Sequence, residues 1–240
     1  MELPRLTIEQ LSKLVASNSP PSQLFEALTE YEQEACLMTE GSGRSEGAIS
    51  NPELLSLFYS SFFLVHLLTD QMSVTPHGAY TMITILTDPN RSEAHALTKR
   101  MPTKLKHEDP SLQNCLALLR AVWQTEHGQV YRILRELPWP EAVRPLVQRY
   151  ESFFQDKTLI SVSRSYETIR LSVAAFYLGL DQDTAAQEDP NIIANFTKCG
   201  WKWDPDTKLL HPKPIVVRPA ENQPYNGIRE AMAMLGARAS

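Results

Sequence analysis

The feature that most constrains this chain is a residue pair that opens helices, with proline in the second place. The pair occurs four times in the middle of the chain, at Asn51-Pro52, Thr75-Pro76, Asp109-Pro110 and Trp139-Pro140. Proline fits the first turn of a helix because the N–H that it lacks would have no intrahelical acceptor there. The four pairs therefore predict helices joined by short turns, which is typical of an antiparallel helical stack.

Apolar residues after these pairs repeat every three or four positions, as expected for helices packed on one face. Only 9 of the 240 residues are glycine, which disfavours a hairpin-rich β fold. The clearest stripe consists of Leu112, Cys115, Leu116, Leu119, Val122 and Trp123. Two further stripes follow, the first formed by Val130, Ile133, Leu134 and Leu137 and the second by Val143, Leu146, Val147, Tyr150 and Phe154.

The run from Leu54 to Leu68 is apolar on almost every side. It contains three serines and His66, and it is shorter than the ~20 residues needed to cross a bilayer. We therefore expect a helix that is buried on several sides, and no membrane-spanning segment.

After residue 170 the pattern changes to short helices. Leu171-Ser172 predicts a helix start, and Gly179 predicts a left-handed helix end. Asp181 and Asp189-Pro190 predict two further starts, with Gly200 as the final terminator.

Residues 201–211 carry the clearest β signal in the chain. Trp201-Lys-Trp203 alternates with period two, Asp204-Pro-Asp-Thr207 has the composition of a turn, and Lys208-Leu-Leu-His211 returns. Short helices followed by such a hairpin have the order of a winged helix.

The two ends of the chain have their own patterns. Thr7-Ile-Glu-Gln10 fits a capping box, Pro20-Pro21-Ser22 precedes a second helical stripe, and Thr39–Gly47 has the composition of a flexible linker. Near the C-terminus, Ile228, Ala231, Met232 and Leu235 form one apolar helix face. So short a helix is stable only when docked, either on a bundle of helices from several subunits or on this chain's own stack.

Roughly residues 51–214 resemble a PCI-type module, in which a helical-repeat stack runs into a winged helix. The resemblance is carried by Tyr166-Glu-Thr-Ile169, Leu171-Ser-Val-Ala-Ala175, Leu178-Gly-Leu180, Gly200-Trp201, Asp204, Lys208-Leu209 and Pro212-Lys-Pro214. Four upstream segments are similar to the small PCI-type subunits of the COP signalosome. The four segments are Thr98-Lys-Arg-Met-Pro102, Leu118-Leu-Arg-Ala-Val-Trp123, Val130-Tyr131 and Trp139-Pro-Glu-Ala-Val-Arg-Pro145.

This resemblance implies a mainly α fold with four parts. Residues 1–50 would hold the N-terminal helices and linker, 51–156 a helical-repeat stack, 157–214 a winged helix with a small β-hairpin, and 215–240 an extended tail with a short C-terminal helix. Residues 185–190 look longer than the family's passage into the second winged-helix helix, and Pro190 must restart that helix.

The function implied by the resemblance is that of a noncatalytic scaffold in the COP signalosome, which removes the ubiquitin-like modifier Nedd-eight from cullins and so regulates cullin-RING ubiquitin ligases. Relatives in the proteasome lid and in translation initiation factor three share the architecture and stay as alternatives. A winged-helix protein that binds nucleic acid is the alternative from a different class.

Partners would be other PCI-type subunits, reached through the winged helix and the C-terminal helix. A strand edge in the winged helix offers unpaired backbone groups to a second sheet, and aromatic residues are enriched in interfaces. The expected interface residues are Trp201, Lys202, Trp203, Leu209, Leu210, Ile228, Met232 and Leu235. One of the two tryptophans would pack inward.

The chain carries no recognisable catalytic, metal or cofactor motif. Its six histidines have no ligand spacing, it has no His-Glu-x-x-His or Cys-x-x-Cys pattern, and it has no phosphate-binding loop. Cys115 lies on an apolar stripe and is expected in the core. We therefore expect no enzymatic activity, no metal, no cofactor and no small-molecule ligand.

The charge of the chain argues against nucleic acid as a partner, and the lack of a long enough apolar segment argues against a membrane. The formal net charge is −5, and residues 171–200 contain one lysine against four acidic residues. Phosphate backbones would be repelled from this region. Three well-separated cysteines and the absence of a secretory signal segment predict a cytoplasmic and nuclear location.

Overall fold

The computed structural model describes residues 6–17, 19–40, 51–70, 97, 101 and 103–215. The helices are α1 (Ile8–Ala16), α2 (Pro21–Glu40), α3 (Pro52–Asp70), α4 (Thr103–Glu108), α5 (Pro110–Trp123), α6 (His127–Glu136), α7 (Arg144–Ser165), α8 (Leu171–Tyr177), α9 (Gln182–Ala186) and α10 (Pro190–Lys198). The strands are β1 (Ile169–Arg170), β2 (Lys202–Asp204) and β3 (Leu209–His211). The predicted mainly α fold with a small C-terminal sheet is confirmed.

The described residues form two compact units. The first contains those up to Glu126 together with Arg132–Tyr150, and the second contains His127–Tyr131 together with those from Glu151 onward. The division therefore runs within α6 and α7. The domain limits read from the sequence stay predictions.

Three predicted helix starts are confirmed by side-chain caps. Thr7 Oγ1 accepts a hydrogen bond from the Gln10 backbone N–H at 3.3 Å, and Asn51 Oδ1 accepts one from Leu54 at 3.2 Å. Asp109 Oδ1 accepts from the Leu112 N–H at 2.9 Å. The start predicted at Thr75-Pro76 and most of the predicted 39–47 linker lie outside the described residues, although α2 continues to Glu40.

Two predicted starts are wrong in detail. Ser172 lies inside α8, whose N-cap position is taken by Arg170 without a side-chain hydrogen bond. After Trp139-Pro140 the chain first makes a turn, and α7 begins only at Arg144. Trp139 is buried there and donates its indole N–H to the Ile133 carbonyl at 3.0 Å, so this residue anchors a connection instead of opening a helix.

The core of the first unit is built around α3. Every residue from Leu54 to Leu68 is buried, and α1, α2 and α5 pack against this helix. By length and composition Pro52–Thr69 is apolar enough to cross a membrane, yet 83% of this stretch is buried inside the protein. The prediction of a helix that is buried on several sides is confirmed.

Cys115 is also confirmed as a core residue of the first unit, because its side chain is fully buried. Burial raises the pKa of this thiol far above its ordinary value, since a thiolate would lose its hydration. The uncharged thiol packs as a small apolar group.

In the second unit, several residues pack around the C-terminal end of α8. Gly179 has φ +64°, which ends the helix as predicted, and a Cβ at this position would overlap the Tyr131 ring. The Tyr131 hydroxyl donates to the Tyr177 carbonyl at 3.2 Å, and Gln155 Nε2 donates to the Leu178 carbonyl at 3.0 Å. These contacts satisfy carbonyls that have no partner within the helix.

We predict that Gly179→Ala destabilises the protein more than Gly200→Ala does. Both glycines have positive φ, which costs a Cβ-bearing residue about 1–2 kcal/mol. Only Gly179 is pressed against a ring, whereas a Cβ at Gly200 meets nothing within 4 Å. Overpacking should add about 1–3 kcal/mol to the loss at Gly179.

Urea unfolding of the full chain followed by tryptophan fluorescence would measure both losses in free energy. Equal losses for the two variants would contradict the proposed packing of Tyr131 on Gly179.

Candidate assembly surface

The candidate site is the small sheet of the second unit. Its strands are antiparallel in the order β1-β3-β2. Trp203 pairs with Leu210, Lys202 with His211, and Asp204 with Leu209. The middle strand β3 is thus paired on both sides, and β2 is an outer strand.

Strand β1 was not predicted from the sequence, because two residues are too few to show an alternating pattern. Ile169 pairs with Leu210, and Arg170 pairs with Leu209. This pairing corrects the interpretation of the returning strand as part of an exposed edge. Leu209 and Leu210 lie in the middle strand, and the hairpin's open side is β2.

The two tryptophans have different environments. Trp201 is buried and stacks on Phe196 with ring centroids 5.0 Å apart, whereas Trp203 is half-buried. Leu210 is completely buried beneath the sheet. Trp201 and Leu210 are therefore core residues, and one tryptophan packs inward as expected. That the segments containing these two residues contact a partner stays a prediction.

The remaining expected interface residues are more accessible. Lys202 is exposed, and Leu209 is half-buried like Trp203. Ile228, Met232 and Leu235 lie outside the described residues. Whether any of these residues contacts a partner stays a prediction.

The turn between β2 and β3 is organised by one carboxylate. Asp204 accepts hydrogen bonds from the Asp206 backbone N–H at 3.0 Å and from the Thr207 hydroxyl at 2.7 Å. Lys208 then takes a left-handed backbone conformation, and its ammonium pairs with Glu188 at 2.5 Å. Glu188 also has a left-handed backbone conformation, so this ion pair joins two tight turns of the unit.

Acidic side chains dominate the two short helices that precede the sheet. Asp181 and Asp189 cap α9 and α10, and Asp181 also accepts a hydrogen bond from the Thr184 hydroxyl. That hydrogen bond is the main reason why the pKa of Asp181 is lowered. The Asp181 carboxylate therefore stays ionised at neutral pH, and the acidic side chains of these helices oppose the approach of a phosphate backbone.

The described residues bring no three His, Cys, Asp or Glu side chains together as a metal-binding group. Cys199 is half-buried, and burial, assisted by the charge of Asp156, raises the pKa of its thiol. A thiol with a raised pKa is a poor nucleophile at neutral pH. Among the described residues, the surface of the small sheet is therefore our candidate for the functional site.

Comparison with known proteins identifies the family. A COP9 signalosome complex subunit 8 from Emericella nidulans is 44% identical over 241 aligned residues, which cover the whole of both chains. The CSN8/PSMD8/EIF3K family model matches residues 75–221. The chain belongs to the CSN8/PSMD8/EIF3K family. The resemblance read from the sequence is confirmed.

More distant relatives of this CSN8/PSMD8/EIF3K family chain are also COP9 signalosome complex subunits 8. The COP9 signalosome complex subunit 8 of Danio rerio is 21% identical over 74% of this chain and 80% of its own length. That of Dictyostelium discoideum is 22% identical over 90% of this chain and 89% of its own length. Similarity to proteins of this name thus extends well beyond fungi.

We predict that the β2–β3 turn loosens in acid because of Asp204. Its hydrogen bond from Thr207, and then that from Asp206, lower the pKa of this carboxyl in the folded protein. A lowered pKa means that Asp204 contributes its stabilisation fully above the unfolded value of about 3.9. The contribution is lost as the pH falls through the folded pKa.

Amide hydrogen exchange of Asp206, Thr207 and Lys208 between pH 6 and pH 2 would show this loss, with rates corrected for the intrinsic effect of pH. Asp204→Asn should weaken the turn at neutral pH and remove its acid response, whereas Asp206→Asn should keep that response. An unchanged response in Asp204→Asn would rule out Asp204 as its origin.

Proposed function

We propose that this chain is a noncatalytic assembly subunit of a COP9 signalosome and that it joins neighbouring subunits through the outer edge of β2. The observation that carries this proposal is the three-stranded sheet, in which β2 is an outer strand and Trp201 anchors the sheet to the core. The identification of the complex rests on the relatives, which are subunits of COP9 signalosomes.

The edge of β2 has the physical properties of a selective docking strand. An outer strand carries backbone N–H and C=O groups on its free side, and a partner strand can satisfy them by extending the sheet. The strand is three residues long and carries Lys202 and Asp204. Its short length and its charges disfavour indiscriminate pairing with other sheets.

The reaction attributed to the complex, removal of Nedd-eight from cullins, would take place in another subunit. This chain would help to position the other subunits and would supply no catalytic group. Its described thiols have raised pKa values, and its sequence lacks the spacing of a metal-dependent peptidase.

The C-terminal stripe of Ile228, Met232 and Leu235 would provide a second contact with the helices of neighbouring subunits in the assembled complex. This proposal rests on the apolar spacing of these residues. The complex would act in the cytoplasm and the nucleus. Subunits of the proteasome lid or of initiation factor three are the rival partners within the same family.

The proposal predicts that one proline substitution in β2 abolishes association without unfolding the protein. N–H groups along an outer strand point alternately toward the neighbouring strand and away from it. Proline has no backbone N–H, so each of the variants Lys202→Pro and Trp203→Pro removes one such group. In one variant the lost N–H points away from β3, and the fold is kept. In the other it points toward β3, and a hydrogen bond between β2 and β3 is lost. Co-purification with the other subunits and circular dichroism of both variants would separate these effects.

Lys213→Pro is the matched control, because Lys213 is exposed and lies after the sheet between Pro212 and Pro214. It should retain both fold and partners. If the folded β2 variant co-purifies with the other subunits as completely as the control does, the edge of β2 is not the assembly surface.

A further inference from the structure

An exposed apolar surface lies on α8, which is the first helix of the winged-helix region. We call Tyr166, Val173, Phe176 and Tyr177, together with Gly128, the α8 surface. Val173 is 38% exposed and Phe176 is 41% exposed, and they are neighbours because they are three residues apart on one helix. Exposed apolar side chains gathered in one patch indicate a binding surface.

The aromatic members of the α8 surface are in contact with one another, and Val173 lies one helical turn from Phe176. The Phe176 and Tyr177 rings lie 6.0 Å apart, as do the Tyr166 and Tyr177 rings, and the two tyrosine hydroxyls are 2.9 Å apart. Gly128 lies under Phe176, where a Cβ would come within 3.2 Å of the ring. The side chains thus form one continuous surface within the second unit.

The end of the described chain lies beside this surface. The Ile215 N–H donates to Ser163 Oγ at 3.4 Å, and the Ile215 carbonyl accepts from Arg164 at 3.3 Å. Ser163 is three residues before Tyr166, which corresponds to about 5 Å along a helix. The chain therefore leaves the unit within a short distance of the α8 surface.

The segment that follows has both the reach and the pattern to cover this surface. Residues 216–227 can span at most about 40 Å when extended. After them come Ile228, Met232 and Leu235, which share one apolar helix face, and methionine adapts to irregular aromatic surfaces. A short tether gives the segment an effective concentration in the millimolar range.

We infer that in the isolated chain the α8 surface is covered by the chain's own C-terminal segment, residues 226–236. The tether favours this occupant over a separate protein, because free partners seldom reach millimolar concentration. The Ile228–Leu235 stripe replaces water on Val173 and Phe176. Assembly with other subunits then competes with this intramolecular contact for the same stripe.

The test measures the accessibility of a thiol placed on the α8 surface. Val173→Cys introduces a side chain of similar size at an exposed position, and its labelling by a maleimide is followed in the purified full chain, with the rate of the parent chain subtracted. A dissociation constant of about 0.1 mM at millimolar effective concentration gives about tenfold protection. Deletion of residues 221–240 should restore the full labelling rate.

Matched controls identify the contact. Leu235→Asp should restore fast labelling because it lies on the stripe, whereas Ala233→Asp, off the stripe, should leave the protection intact. Ile8→Cys has a similar exposure of 37% in the first unit, and it should label equally fast with and without residues 221–240.

Three results would overturn the inference. Equal labelling of Val173→Cys in the full and truncated chains would leave the surface uncovered. Protection that rises with protein concentration would assign it to a second copy. Protection at Ile8→Cys instead would place the segment on the first unit. Because no other subunit is present, none of these results bears on assembly through β2.

Discussion

The structure of the winged-helix region depends on the left-handed turn at Gly179, which ends α8. A side chain there would collide with Tyr131, and the carbonyls of Tyr177 and Leu178 accept hydrogen bonds from Tyr131 and Gln155. Leaving a buried polar group without its partner costs about 1–3 kcal/mol. These contacts hold the end of α8 against α6 and α7.

The position of the sheet follows from the position of α8. Strand β1 runs directly into this helix, and β3 pairs with β1 on one side and with β2 on the other. Trp201 and Leu210 then fill the core between the sheet and α10, where Trp201 stacks on Phe196. The result is a small sheet whose inner face is fully used for stability and whose hairpin leaves β2 on the outside.

Much of this fold could be predicted from local sequence, because the signals are local. The carboxylates at Asp109, Asp181 and Asp189 cap the helices that follow them, and Gly179 and Gly200 end helices with positive φ, as their positions in the sequence indicate. Each effect involves residues at most four positions apart. Tertiary packing does not change such signals easily.

The errors concern features that tertiary contacts decide. Period-two alternation puts Trp201 and Trp203 on one face, and the expectation that one of them packs inward agrees with the structure, but the alternation cannot say that this one is Trp201, which stacks on Phe196. Strand β1 exists because β3 pairs with it, and two residues carry no pattern of their own. After Trp139-Pro140 the indole binds the Ile133 carbonyl, which delays the helix until Arg144.

The central claim is that this chain assembles into a COP9 signalosome. The most direct measurement is affinity purification of the tagged full chain from its own cells, followed by quantitative mass spectrometry of the retained proteins. The account predicts the other signalosome subunits in a constant ratio to the chain. Recovery of proteasome-lid or initiation factor three subunits in their place would contradict it.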